Sequence, residues 1–189
     1  MKTVGMSFDN QESVLSMPGV LDFVQYAARY CAMVEPWTTP DWSISTLEEC
    51  CPLLANIYAA GWRLPVLQDR LFVELEHEVT EQAYNDVRRR IEQFLGENDC
   101  FLNAQMEDMK YSDQPISVST AEIMADIYQA LGDFTWVIRQ MNPESMYSAV
   151  AEIRQSMMTR WGGLLLVALH QIHVLLGDPN FECRGGEQV

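Results

Sequence analysis

The chain has 189 residues, 48% hydrophobic and 10% aromatic, enough for one domain with a buried core and too many for a disordered segment. Its 12 basic and 27 acidic residues give a formal charge of −15, which sets it against duplex DNA and anionic membrane as partners. It leaves room for a basic protein, a polyamine or a divalent cation.

From Met1 to Asn10 a single Lys is followed by polar and acidic residues, without the apolar stretch of a signal peptide. Residues 1–16 are expected to be a flexible segment ahead of a domain spanning 17–177. Pro18-Gly19 opens an apolar-periodic stretch, Val20 to Glu35, in which Leu21, Val24, Ala28, Cys31 and Val34 recur at helical spacing. Pro36 to Ser43, with two prolines and two tryptophans, reads as a loop packed on the core. Ser45 with Glu48 three residues on predicts a capping box and the start of a second helix. Pro52 is tolerated there with a kink, and Gly61 and Pro65 close the helix. Val66 to Val79 is either a short helix or a charged excursion.

Thr80 is an N-cap for a third helix ending at Leu95 before Gly96, with Ala83, Val87, Ile91 and Phe94 on its apolar side. Arg88, Arg89 and Arg90 are expected to be a solvated face paired with neighbouring acids. Met106 to Val118 reads as a loop, and nothing alternates with period two for long enough to predict a strand. Ser119 or Thr120 caps a long helix to about Met141, Asn142-Pro143 makes a tight turn, and a last helix runs from Glu144 to Leu176. Gly177-Asp178-Pro179 ends it, and residues 178–189 are expected to be a loose tail. The fold class is therefore all-α: a single-domain bundle of five or six helices with a long C-terminal antiparallel helix hairpin.

The five cysteines, Cys31, Cys50, Cys51, Cys100 and Cys183, are odd in number and include no C-x-x-C pair, which predicts free thiols in a reducing cytoplasm. The most apolar run, Leu164 to Leu176, is interrupted by Gln171 and two histidines and is too short to span a bilayer.

Two polar stripes carry the functional reading. On the fourth helix Glu122, Asp126, Gln129, Asp133 and Gln140 fall within a sector of roughly 60° at about 100° per residue. Read as a surface, Glu122, Asp126 and Asp133 form a line of carboxylates able to dock a basic partner; read plainly, they are the wet side of an amphipathic helix. On the last helix Ser148, Glu152, Gln155, Ser156, Thr159, Gly163, His170 and His173 form a second stripe on an otherwise apolar rod. His170 and His173 are three apart and could pair on a metal with Glu152 or with carboxylates of the neighbouring helix. No Glu-x-x-His motif is present, and histidines near a helix C-terminus also interact well with its carbonyls. His77 lies in a charged run, expected to be exposed. Gly162-Gly163 after Trp161 suits close helix packing.

There is no G-x-S-x-G, P-loop or G-x-G-x-x-G, so no enzyme class and no cofactor is indicated. Three functions follow: a protein-interaction module with an acidic surface, a small-ligand or divalent-metal site between the last two helices, and a nucleic-acid mimic. The leading expectation is the first, with another protein as partner and neither nucleic acid nor membrane; oligomeric state stays open.

Several stretches carry a family resemblance: Val79-Thr80 through Tyr84 on to Leu95-Gly96-Glu97-Asn98-Asp99, Asp126-Ile127-Tyr128-Gln129 with Asp133-Phe134, and Trp161-Gly162 with Ala168-Leu169-His170. Phe23 to Glu35 and Leu64-Pro65 look similar too. Together they resemble the bacterial domain of unknown function 5063 over most of residues 20–176. The resemblance implies a helical protein with no assigned activity, and so no site residue to carry over. Cys100 stands where an aromatic is expected.

Overall fold

The structure is a computed structural model that describes residues 14–38, 41–67, 74–103 and 116–183. Its helices are α1 (Val20–Val34), α2 (Ile44–Arg63), α3 (Glu81–Leu95), α4 (Thr120–Arg139), α5 (Pro143–Ser156) and α6 (Gly162–Gly177). A π turn, Met157–Trp161, joins α5 to α6. The last two helices thus make one rod of the expected length, folded back on α4 through Met141 and Asn142.

The local chemistry explains most boundaries. Thr80 accepts from the Ala83 amide, Ser119 from Glu122, and Asn142 from Glu144 and Ser145, each at the start of its helix. The start of α2 differs from expectation. Ser43, one residue before the helix, is the N-cap, and Thr46 returns the bond to the Ser43 amide, so Ser45 lies inside the first turn. The helix continues through Pro52 at an exposed position, where the partnerless carbonyl can face water.

One expectation fails outright. Two strands exist, β1 (Cys100–Asn103) and β2 (Ile116–Ser119), paired antiparallel with Cys100 opposite Ser119 and Asn103 opposite Ile116. Four residues each is too short for alternation to register, so residues 116–118 read as loop. The hairpin delivers buried Asp99 to the start of α4. There its carboxylate accepts the Ala121 amide at 2.8 Å and its carbonyl accepts Thr120. Of the chain expected to form a loop, residues 106–115 lie outside the described residues.

The core is built around Phe23, Tyr30, Leu47, Leu54, Ile57, Ile91, Met124, Ile127, Leu131, Leu165 and Ile172, all fully buried. Phe23 sits at its centre, edge-on to Phe134 at 5.3 Å and tilted against Trp161 at 6.1 Å. The tryptophan loop packs as expected at one of its two residues. Trp42 is buried against Phe94 and bonds to the Met33 carbonyl, while Trp37 is exposed.

Arg88 and Arg89 pair with Glu92 and Asp86, as read from the sequence, but Arg90 reaches the Val34 and Glu35 carbonyls at the end of α1. Arg154 does the same for Gly61 and Trp62 at the end of α2. Cations at helix C-termini are favoured there. All five cysteines are free.

At the chain ends, Val14–Ser16 forms a 3₁₀ turn with Val14 buried, and residues 1–13 lie outside the described residues. Phe181 and Cys183 pack on the core edge and Asn98 donates to the Glu182 carbonyl; residues 184–189 lie outside the described residues. Among the described residues no helix is long and apolar enough to cross a membrane.

Candidate functional site

A cleft of about 240 Å³ opens between α4 and the α5–α6 rod, and residues 75–77 close one side of it. Its floor is apolar: Ala130, Phe134, Val137, Ile153, Trp161 and Leu164 line it. Around them stand four carboxylates, Glu76, Asp126, Asp133 and Glu152, with one guanidinium, Arg160, and one imidazole, His77. The α4 stripe and the first half of the rod's stripe therefore face each other, through Asp126, Gln129 and Asp133 on one side and Glu152 and Ser156 on the other.

The π turn explains why the second stripe stops there. A four-residue step on an α-helix advances about 400°, so Glu152, Ser156, Arg160 and Leu164 would drift by about 120° over three steps. The π turn takes up one extra residue, about 100° on the wheel, and returns all four to one side. Residues beyond it are rotated by the same amount relative to a plain helix. His170 and His173 accordingly lie exposed on α6 and do not line the cleft. They are also far from Glu152, with eighteen residues, or about 27 Å of helix, between Glu152 and His170. Among the described residues no three His, Cys, Asp or Glu side chains are grouped to hold a metal ion.

The carboxylates differ in how much of their bonding capacity is spent. Asp133, its side chain only 15% exposed, accepts the Glu78 and Val79 amides at 2.8 and 2.9 Å through one oxygen and bonds His77 Nδ1 at 3.0 Å through the other. It pins residues 77–79 against α4, and Gly132 makes room: a Cβ there would lie 2.6 Å from Val79 Cγ2. Asp126 accepts the Tyr84 hydroxyl at 2.8 Å, tying α4 to α3. Burial, and then this carboxylate, hold the Tyr84 phenol above its ordinary value. Glu122 is exposed in the first turn of α4 and lies off the cleft. Glu76 and Glu152 are exposed at the rim.

The His77–Asp133 pair has the form of an imidazole held by a carboxylate, the arrangement that orients a general base. The cleft's one hydroxyl among its described lining residues, Ser156 Oγ, donates to the Ile153 carbonyl and bonds Trp161 Nε1 at 3.1 Å. It is committed to holding the indole in place. What the arrangement offers is a cation-attracting rim over an apolar floor.

Sequence reasoning reached Asp126, Asp133 and Glu152 but missed Glu76, His77, Arg160 and Trp161. His77 is 72% exposed and makes its one carboxylate contact 56 residues away, which no local pattern reveals. An unbroken α period would turn Arg160 about 80° away from Glu152. The available signal was the step of four from Glu152 to Leu164.

No curated protein matches the sequence. The crystal structure of protein BF1032 from Bacteroides fragilis is similar in fold, with a TM-score of 0.75 at 24% identity, over 89% of this chain and 99% of that one. The family model described as domain of unknown function DUF5063 matches residues 17–178, a span that holds the six described α-helices, the hairpin and the cleft, and the chain belongs to that family.

Proposed function

We propose that the protein is a binding domain that takes a small organic cation in the cleft between α4 and the α5–α6 rod. The observation that carries this reading is the lining itself: four carboxylates around an apolar floor, with a single Arg. A positive head group is drawn to Glu76 and Glu152, the two rim acids whose oxygens make no structural bond among those described. An aliphatic body lies on the half-buried Leu75, Ala130 and Leu164, above the buried Phe134 and Trp161. About 240 Å³ is below the roughly 300–1,000 Å³ of drug-sized sites, which favours an amine of amino-acid size over a nucleotide.

The experiment is calorimetric titration of pentylamine into the wild type and into the Glu76→Gln/Glu152→Gln double variant at low salt. The double variant is expected to bind about tenfold more weakly, two screened charge contacts being worth about 1.4 kcal/mol together. Equal affinity in the two proteins would remove the rim acids from the site.

The charge of −15 favours a second reading, in which the occupant is a Lys or Arg side chain presented by a basic partner protein. The chemistry at the rim is the same. A basic peptide that binds where pentylamine does not would select this reading.

A further inference from the structure

We infer that the ligand of this cleft is a zwitterion, with an amine at the Glu152 end and a carboxylate held by Arg160. The inference rests on the proposed cation site and adds the second half of its specificity. The chain has 15 more acids than bases, and Arg29, Arg63, Arg88 and Arg89 each lie within 4.0 Å of a carboxylate. Arg90 and Arg154 are used on helix C-termini, and Arg139, exposed in the last turn of α4 without a described bond of its own, lies off the cleft. Arg160 lines a cleft with four carboxylates, yet no ion pair or hydrogen bond ties its guanidinium to any of them among the described contacts. A planar five-donor fork left unpaired beside a ligand cavity suits a carboxylate brought by the ligand.

The charges are also separated along the cleft. In a hairpin that turns at Met141 and Asn142, positions at similar distances from the turn stand level. Glu152 is then near Asp133, together with His77 and Glu76 from the adjoining wall, while Arg160 lies toward Asp126. Asp126 accepts the Tyr84 hydroxyl through one oxygen, which turns that oxygen toward α3. Eight residues, or about 12 Å of rod, separate Glu152 from Arg160, and both long side chains shorten that span as they reach inward. The space between is bounded by Phe134, Ile153 and Trp161, with Gln129 and Ser156 at its edge, the latter bonded to the Trp161 indole. The π turn sets this polarity, because a plain helix would carry Arg160 out of line with Glu152. The ligand class is therefore an ω-amino acid or a basic amino acid lying extended, its charges at opposite ends of an aliphatic chain.

The test is a cycle between ligand and protein: pentylamine and 6-aminohexanoate, the same chain without and with a carboxylate, titrated into the wild type and Arg160→Gln. Arg160 is exposed and makes no described structural bond, so the variant is expected to fold. The wild type is expected to show a preference for 6-aminohexanoate that falls about tenfold in Arg160→Gln, while pentylamine affinity holds or rises. Pentylamine binding with a preference unchanged within about twofold in the variant would overturn the inference and leave the cation site standing. Failure of both ligands to bind the wild type would overturn the cation site and the inference together.

Discussion

Asp133 shows how a residue read as surface becomes a fixture. On the wheel it belongs to the wet side of α4, yet its two oxygens accept two amides and meet an imidazole from a segment 54 to 56 residues earlier. Hydrogen bonds to a charged group contribute about 1.5–3 kcal/mol. Asp133→Ala is thus expected to cost about 2–4 kcal/mol in urea unfolding, because it leaves the Glu78 and Val79 amides without their acceptor. Glu122→Ala, from the same stripe, should stay within about 0.5 kcal/mol. Equal effects would mean that the stripe is uniform after all. The buried thiols make a second, pH-dependent case. Burial first, and then Glu35 for Cys31 or Cys51 for Cys50, pushes each up from 9.0 to about 12. Both states keep these thiols neutral below pH 9, whereas between 9 and about 12 only the unfolded chain ionises them. Stability should therefore fall as pH climbs through that window, and Cys50→Ala should flatten the slope of unfolding midpoint against pH.

At the scale of elements, the π turn decides which side chains meet across the cleft, and two adjacent glycines test it with opposite signs. A Cβ on Gly162 would lie 2.3 Å from the Met157 carbonyl oxygen, the acceptor of the turn's closing bond, whereas a Cβ on Gly163 meets nothing within 4 Å. Gly162→Ala is expected to cost about 1–3 kcal/mol despite the better helix propensity of Ala. Gly163→Ala should gain about 0.5–1 kcal/mol. Thermal unfolding of both variants checks the contrast. The helices themselves are legible because capping residues, apolar periods and Pro/Gly stops all act within a few residues: Thr80 and Gly96 stand where the sequence places them, Ser119 is the cap of the two residues it offers, and Asn142, read as a turn, also caps α5. The Ser43–Thr46 box was misplaced by two residues because Thr replaces the usual Glu or Gln. The hairpin was missed because its strands are held by cross-strand bonds and by Asp99 rather than by pattern. Half of the cleft was missed for two further reasons. A π turn has no strong sequence signature, and the seat of His77 on Asp133 is a long-range fact.

Over the whole molecule, the charge of −15 is a field around a cleft that is itself negatively lined. Such a field raises the local concentration of cations and weakens as salt screens it, the Debye length falling from about 10 Å at 0.1 M to about 3 Å at 1 M. Amine affinity should accordingly drop steeply with added NaCl, and more steeply for pentylamine than for 6-aminohexanoate, whose net charge is zero. Titration calorimetry across a salt series measures this; salt-independent binding would place the occupant outside that field. The most direct test of the central claim is a backbone-amide NMR titration of the wild type with pentylamine. Saturable shifts confined to Glu76, His77, Gln129, Asp133, Glu152 and Arg160 are the predicted result. Shifts scattered over the acidic surface, or centred on His170 and His173, would contradict it.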